Sequence, residues 1–193
     1  MNRASHSRSD DIAIRQWSGI AEREKLIPAL DAIFFEASAT KSFASEKERQ
    51  AFRERWLGRY LEHDPEWVYL ALNANGTLVG YLLGSLDDPA RTPRFRDIGY
   101  FKDFAALTEA YPAHLHVNLA PAYRNVGIGA QLINTFAAAA ARAGATGVHV
   151  VTGAGARNIG FYARNGFREI GRATSNTNEV VFLARRLSRA ETA

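Results

Sequence analysis

The stretch HLHVNLAPAYRNVGIGAQL, from His114 to Leu132, contains the residues best suited to bind an anion. It leads from an alternating segment through Pro121 into a predicted helix start that contains Gly127 and Gly129. The first N–H groups of a helix have no acceptor within it, and the aligned peptide dipoles add positive charge there. Because glycines leave this backbone uncovered, the stretch predicts a phosphate-like ligand, although glycines can also serve only a tight turn.

Two other phosphate-binding motifs are not satisfied. A Walker A loop requires a Gly-Lys pair, and the chain contains none. A dinucleotide-binding loop is suggested by Gly153 and Gly155, but the third glycine position of that motif is Asn158. Too little chain follows to complete a doubly wound sheet. The anion site is therefore predicted at residues 124–129.

Two histidines and a glutamate are candidate bases. His114 and His116 share one face of the predicted strand with Asn118, and the ordinary histidine pKa lies near neutrality. Glu36 lies at the end of the first predicted helix. Each also has an ordinary structural interpretation, as a hydrogen-bonded histidine or an exposed helix-end carboxylate, and water relayed to solvent is a further alternative.

Hydrophobic periodicity predicts the elements that position these residues. The segment DIAIRQW alternates as a strand does, and two helices follow, the second opening with a capping box at Ser45 and Glu48. Two apolar runs joined at Asn75-Gly76 predict a β-hairpin. Residues 87–100 contain two prolines and several charges without a period, and they predict an exposed loop.

The second half of the chain predicts a strand, a helix, a strand, a helix and two strands. A short helix ends before Pro112, and the segment HLHVNL then alternates. A helix from about residue 127 to 143 ends at Gly144, a suitable C-terminal cap. The segment GVHVVT, a helix around RNIGFYARNG and the strands FREIG and EVVFLARRL complete the chain.

Two motifs on these elements resemble signatures of the GCN5-related N-acetyltransferase (GNAT) superfamily. The family's [RQ]-x-x-G-x-[GA] loop, which cradles the pyrophosphate of acetyl-CoA, matches Arg124 to Gly129. Its second signature, a helix-ending tyrosine four residues before a Gly-Phe pair, matches Tyr162, Gly166 and Phe167. The order of predicted elements is similar to the family's from about Ile12 to Leu187.

One further stretch of the chain resembles a subgroup of this family, and two positions differ from the residues that the family often has there. The long connection that contains YFKDF resembles the acetyltransferase-like domain of some O-GlcNAc hydrolases and its free-standing bacterial relatives. The acidic residue that often follows the family's proline is Ala122 here, and the asparagine often seen seven residues before the tyrosine is Gly155. Both departures lie outside the pyrophosphate loop, so they bear on acceptor chemistry rather than on coenzyme binding.

The resemblance implies an α/β (α+β) fold, the GNAT fold, in which helices flank a central mixed, mostly antiparallel sheet of about six to seven strands. The implied order is β-α-α-β-β-(loop/helix)-β-α-β-α-β-β, in a single domain over residues 11–187. Residues 1–10 are predicted to form a disordered tail, and residues 188–193 a C-terminal tail.

The resemblance also implies an acetyl-CoA-dependent N-acetyltransferase that acetylates a primary amine of a small molecule or protein by direct attack in a ternary complex. It assigns Tyr162 as the general acid beside the coenzyme sulfur, and the backbone of residues 117–119 as the partner of the pantetheine arm. His116 is the first candidate among the side chains for the base, and His114, Glu36 and water relayed to solvent stay open as alternatives. The predicted coenzyme-binding residues are Val117, Asn118, Leu119, Arg124, Asn125, Val126, Gly127, Ile128, Gly129, Ala130, Asn158 and Tyr162.

Composition limits the remaining function classes. The 193 residues include no cysteine, which excludes disulfides, thiolate catalysis and cysteine-bound zinc, and no metal cofactor is expected. The N-terminus lacks the apolar run of a signal peptide, so a cytoplasmic protein without a membrane partner is expected. A formal net charge of +4 is a weak signal, and a nucleic-acid partner is not expected.

The sequence predicts where the acceptor binds and leaves one alternative function open. An unidentified amine acceptor is expected in a pocket built from the connection around Phe35 to Phe43, residues 87–112 and the last hairpin. The alternative function is a non-catalytic module that keeps the fold and works by acyl-CoA binding or protein contacts. A homodimer is left open.

Overall fold

A computed structural model describes residues 12–175 and 178–188, and within these ranges seven strands form one mixed sheet. The strands are β1 (Ala13–Gln16), β2 (Tyr69–Leu72), β3 (Leu78–Ser85), β4 (Ala113–Leu119), β5 (Gly147–Gly153), β6 (Arg168–Ser175) and β7 (Asn178–Arg186). Their order across the sheet is β1-β2-β3-β4-β5-β7-β6. The β4–β5 pair is parallel, whereas the β1–β2, β2–β3, β5–β7 and β6–β7 pairs are antiparallel.

Helices connect these strands in the predicted order, and the fold class is confirmed. The α-helices are α1 (Ile27–Ala37), α2 (Glu46–Arg53), α3 (Arg59–His63), α4 (Tyr100–Asp103), α5 (Ala105–Ala110), α6 (Ile128–Arg142) and α7 (Ile159–Arg164). A π-helical turn, Glu54–Gly58, joins α2 to α3. Within the described ranges, no helix has the length and apolar character needed to cross a bilayer. Apart from Ser188, the predicted tails lie outside the described residues.

The β2–β3 hairpin turns where the Asn-Gly pair predicts it. Gly76 has a φ of 75°, in the left-handed region that glycine adopts without a steric penalty. The N–H of Asn73 donates to the carbonyl of Thr77 at 3.0 Å, and the Asn73 side-chain oxygen accepts the Thr77 N–H at 2.9 Å. These bonds close the turn and set the start of β3.

The chain divides into two compact units, each described by itself. The first unit comprises Met1–Leu83 and Val117–Asn134, and the second comprises Gly84–His116 and Thr135–Ala193. The boundaries of the predicted single domain stay a prediction.

The core of the first unit is apolar and aromatic. Phe52 packs against Phe34 and Phe43, with ring centroids 5.5 and 5.3 Å apart. The N-cap bond of the predicted capping box is present, because the Ser45 hydroxyl accepts the Glu48 N–H at 3.2 Å. The Glu48 carboxylate accepts the N–H of Ala44 at 3.0 Å, one residue before the cap. The fully buried residues of this unit include Leu30, Leu57, Tyr60, Leu70 and Leu82.

The prediction of an exposed loop at residues 87–100 is only partly right, because this largely irregular segment also contributes buried side chains to the core of the second unit. The side chain of Phe95 is 0% exposed and that of Ile98 is 4% exposed. The Phe95 ring meets the His114 ring edge to face, with centroids 4.8 Å apart. Phe95, Ile98 and the buried Phe101 recur every third residue, a pattern obscured in the sequence by the charges between them.

Candidate functional site

The predicted anion loop lies in the first unit, between β4 and α6. The chain is extended at Arg124, with φ −78° and ψ 152°, and then passes through left-handed conformations at Asn125 and Gly127, with φ values of 63° and 90°. Glycine adopts such a φ freely, and asparagine is among the side chains that tolerate it best. The two residues therefore turn the chain sharply into the helix start.

The start of α6 presents backbone donors. The N–H of Gln131 donates to the carbonyl of Gly127 at 3.1 Å, which closes the first helical turn. The three N–H groups before it, at residues 128–130, have no acceptor within a helix that begins at residue 128. A Cβ added at Gly127 would meet no heavy atom within 4 Å, so the space beside the turn is open. This arrangement can accept an anion of the size of a phosphate.

The Arg124 side chain links the anion loop to the end of α1. Its Nε donates to the carbonyl of Leu119 at 3.0 Å, and its Nη2 forms an ion pair with the Glu36 carboxylate. The backbone carbonyl of Glu36 also accepts a bond from the Lys41 ammonium. Both partners of the ion pair are more than 40% exposed, so the pair adds little to stability. The candidate base Glu36 is therefore ion-paired with the guanidinium of Arg124 in the anion loop.

The end of β4 in the first unit is held against β3. The Asn118 amide donates to the hydroxyl of the buried Tyr81 at 2.9 Å, and burial raises the pKa of Tyr81. A Cβ at Gly80 would lie 2.2 Å from the Leu119 side chain and 3.0 Å from the Asn118 carbonyl. Glycine is therefore required at this position, because a Cβ would overlap the Leu119 side chain. The N–H of Ala120 donates to the carbonyl of residue 79 at 2.9 Å and continues this attachment.

The beginning of β4, in the second unit, carries the histidines. β4 pairs with β5 at two positions, Ala113 with Val148 and His114 with His149. The His114 side chain is 2% exposed, and burial, followed by the nearby imidazoles, lowers its pKa well below the ordinary value. His116 lies two residues further along β4 and is half-buried. The structure therefore places one candidate base in the core and the other nearer to solvent.

His149 is a second buried imidazole that the sequence reading did not single out. Its ring stacks on Phe182 with centroids 4.4 Å apart, and its Nδ1 lies 2.6 Å from the carbonyl of Tyr111. Since a carbonyl only accepts hydrogen bonds, this distance assigns the proton of the neutral ring to Nδ1. Burial lowers the pKa of His149 to about 4. Both buried histidines are thus neutral at physiological pH.

Tyr162 lies on α7 in the second unit. Its side chain is 4% exposed, and its ring packs at steep angles against Phe161 and Phe167, with centroids 5.2 and 5.5 Å apart. Gly166, with a φ of 83°, ends the helix, and the Phe167 N–H donates to the Tyr162 carbonyl at 3.1 Å. Burial raises the pKa of Tyr162, so its phenol keeps its proton at neutral pH.

Asn158 lies immediately before α7, and its side chain forms a hydrogen bond within the protein. Its side-chain oxygen accepts a hydrogen bond from the Thr152 hydroxyl at 3.1 Å, which joins the end of β5 to the helix start. Its predicted contact with the coenzyme stays a prediction. Within residues 12–175 and 178–188, no group of three or more histidine, aspartate or glutamate side chains is arranged to hold a metal ion.

A pocket of about 350 Å³ lies in the first unit, at the connection between α1 and α2. Acceptor residues are predicted around this connection, but the charged residues of the pocket are not among those that the sequence predicts. The Arg49 guanidinium lies over the Phe35 ring, 3.8 Å from its centroid. Residues 35–49 do contain two phenylalanines and three cations, but their spacing is irregular and marks no pocket. The lining residues are Phe35, Thr40, Lys41, Phe43, Ser45, Glu46 and Arg49.

Comparisons with known proteins concern the family and the fold of this chain. The sequence profile described as the Acetyltransferase (GNAT) family matches residues 30–167. The chain is similar to the solved structure of SsHAT, with 24% identity and a TM-score of 0.68 over 91% of this chain and 98% of that one. A GCN5-related N-acetyltransferase from Kribbella flavida gives 17% identity and a TM-score of 0.62 over 93% and 99%. A phosphinothricin acetyltransferase from Sinorhizobium meliloti, solved in complex with acetyl-CoA, gives 17% and 0.58 over 92% and 89%. At these identities the structural likeness concerns the fold.

Proposed function

This chain belongs to the acetyltransferase (GNAT) family, and we propose that it transfers an acetyl group from acetyl-CoA to a primary amine. The amine belongs to a small molecule or a protein and attacks directly in a ternary complex. The observation that carries the proposal is the left-handed turn at Asn125 and Gly127, which opens the start of α6 to an anion.

Acetyl-CoA is a substrate here, and the first unit suits its pyrophosphate. We assign the pyrophosphate to the N–H groups of residues 126–130, where backbone donors and the helix dipole favour negative charge. The open space beside Gly127 supports this assignment, because a bulky anion can approach the backbone there. Arg124 adds a guanidinium beside the same loop. The relative from S. meliloti, solved with acetyl-CoA, supports the same ligand.

The end of β4 is the proposed partner of the pantetheine arm. Residues 117–119 lie beyond the two residue pairs that join β4 to β5. Their peptide groups are assigned to hydrogen bonds with the amides of pantetheine and to polarisation of the thioester carbonyl. The bond between Asn118 and Tyr81 supports this role, because it holds the strand end in one position.

Tyr162 is the proposed general acid. Transfer of the acetyl group leaves negative charge on the departing sulfur, which a neighbouring proton donor can neutralise. Burial raises the pKa of this phenol, so the phenol keeps its proton at neutral pH but is a weaker acid than an exposed tyrosine. The match of Tyr162 to the second family signature supports the assignment.

His116 is the proposed base for the acceptor amine. It is half-buried, whereas His114 lies in the apolar core with a pKa well below its ordinary value. An imidazole whose neutral form is so strongly favoured takes up a proton poorly. Glu36 is engaged by Arg124, and relay through water stays the other alternative.

Calorimetry followed by a turnover assay tests the proposal. Acetyl-CoA is titrated into the protein, and thiol release is then measured with polyamines, amino sugars, aminoglycosides and peptides as acceptors. Binding together with amine-dependent thiol release is the expected result. Binding without turnover on any amine favours the alternative function, a non-catalytic module that binds acyl-CoA or another protein. Failure to bind acetyl-CoA refutes the proposed enzyme.

A further inference from the structure

We propose that the pocket at the α1–α2 connection binds an anionic group of the acceptor. The acceptor is then an amine that also carries a carboxylate or a similar oxyanion. The pocket lining combines two cations, one carboxylate and two phenyl rings, namely Lys41, Arg49, Glu46, Phe35 and Phe43. This inference rests on the proposed function, because it names the chemical class of the acceptor.

Arg49 is the cation best placed to meet an oxyanion. Its guanidinium carbon lies 3.8 Å from the centroid of the Phe35 ring, and this stacking restricts the orientation of the planar group. The ion pair of Arg49 with Glu46 is long, at 3.4 Å, and the same Glu46 oxygen accepts a bond from Gln50 at 2.7 Å. An exposed pair of this kind is weak, so an oxyanion can bind the guanidinium through two parallel hydrogen bonds.

Lys41 supplies a second positive charge at the same pocket. Its ammonium donates to the backbone carbonyls of Phe35, at 3.3 Å, and of Glu36. An ammonium group has three N–H donors, and these two carbonyls are neutral partners that leave its charge uncompensated. With Lys41 and Arg49 against Glu46, the formal charge of the lining is positive. An anionic ligand is therefore favoured over a cationic one.

The two phenyl rings indicate the rest of the ligand. Phe35 and Phe43 are both half-buried, and their rings meet edge to face with centroids 6.0 Å apart. Phe43 also packs on Phe52, so its ring is supported from the core side. A ligand with an aliphatic or aromatic body beside its oxyanion covers these rings from water. The best match is an amino acid or an acidic peptide rather than a polyamine.

A hydrogen bond and an ion pair connect the pocket to the loop at residues 124–129, the proposed pyrophosphate site. Lys41 lines the pocket and bonds the carbonyl of Glu36, whose carboxylate pairs with Arg124. All three residues belong to the first unit, and through them the pocket is linked to Arg124 of the proposed pyrophosphate loop. The phosphates of the coenzyme are a second source of oxyanions, and the test has to separate the two sources.

The experiment compares a matched pair of probes that differ only in charge. Calorimetry measures the binding of 3-phenylpropionate and of the neutral 3-phenylpropanamide to the full chain, with and without CoA. Wild-type protein should bind the anion at least tenfold more tightly than the amide. Arg49→Gln should abolish this preference and leave the affinity for CoA unchanged. Lys47→Gln, which removes an exposed cation from the same helix outside the pocket lining, should behave as wild type.

Several outcomes overturn the inference. Equal binding of the two probes, or no binding of either, excludes an anion-selective pocket of this kind. An Arg49→Gln protein that loses affinity for CoA but keeps the preference for the anion assigns the cation to the coenzyme instead. The proposed function is decided separately, by acetyl-CoA binding and by thiol release with phenylalanine and 2-phenylethylamine. Transfer to both amines at equal kcat/KM refutes the acceptor class while it supports the enzyme.

Discussion

The buried histidines of the second unit should make the protein unfold more easily as the pH falls. Burial holds the pKa of His149 at about 4, and it lowers that of His114 well below the ordinary value of 6.5. In the unfolded chain both side chains titrate near 6.5. Below pH 6.5 the unfolded state therefore binds more protons, so the free energy of unfolding decreases with decreasing pH. Above pH 6.5 this contribution to stability is fully present.

The shift of His149 sets the size of the effect. For this residue alone, the difference between about 4 and 6.5 lowers the free energy of unfolding by roughly 1 kcal/mol at pH 5.5 and by about 3 kcal/mol at pH 4. His114 acts in the same direction. For a chain of this length, a loss of about 1 kcal/mol corresponds to a decrease in Tm of roughly 2–4 °C.

Urea unfolding between pH 8 and pH 4.5 measures this effect in the wild type and in His149→Phe. The phenylalanine keeps an aromatic ring against Phe182, whereas it removes the titrating nitrogen and the bond to the Tyr111 carbonyl. Subtracting the two curves cancels the carboxylates and the exposed His63. The wild type should lose roughly 1 kcal/mol relative to the variant between pH 8 and pH 5.5. A difference that does not change with pH contradicts the argument.

Three further predictions concern the proposed site. Gly129→Val should weaken acetyl-CoA binding at least tenfold, about 1.4 kcal/mol, because it adds a side chain where the pyrophosphate approaches; unchanged calorimetry on a folded variant refutes the loop assignment. Tyr162→Phe should slow the chemical step by about 10²-fold while the KM for acetyl-CoA and the melting temperature barely change, and a wild-type rate when chemistry is limiting removes the acid role. Glu36→Gln should change the Kd for acetyl-CoA by no more than about fivefold, because the exposed ion pair of Glu36 with Arg124 is weak. The same variant should keep its kcat within about tenfold of the wild-type value. A loss of about 10²-fold in kcat would instead identify Glu36 as the base.

The turns and caps of this protein follow from its sequence, because each depends on a few neighbouring residues. Gly76 and Gly144 have the left-handed φ values of 75° and 92° that a hairpin turn and a helix C-cap require. Ser45 accepts the N–H that its spacing from Glu48 predicts. The loop from residue 124 to 129 belongs to the same class, because the φ of Gly127 and the helix start are both local. The family resemblance and the turn into the helix start were therefore available from the sequence, whereas the anion site at this loop stays a prediction.

Burial and pairing over long separations were decided by the tertiary structure. Arg124 pairs with Glu36, 88 residues away, and no local pattern connects the two positions. Phe95 and His114 are buried against each other, although charged residues flank Phe95 in the sequence and His114 is itself polar. The pocket at the α1–α2 connection depends on where Arg49 lies relative to the Phe35 ring. Segments that are distant in sequence form the surroundings of each of these side chains. Water is excluded only after those segments pack together, and this exclusion shifts the pKa values of His149 and Tyr162.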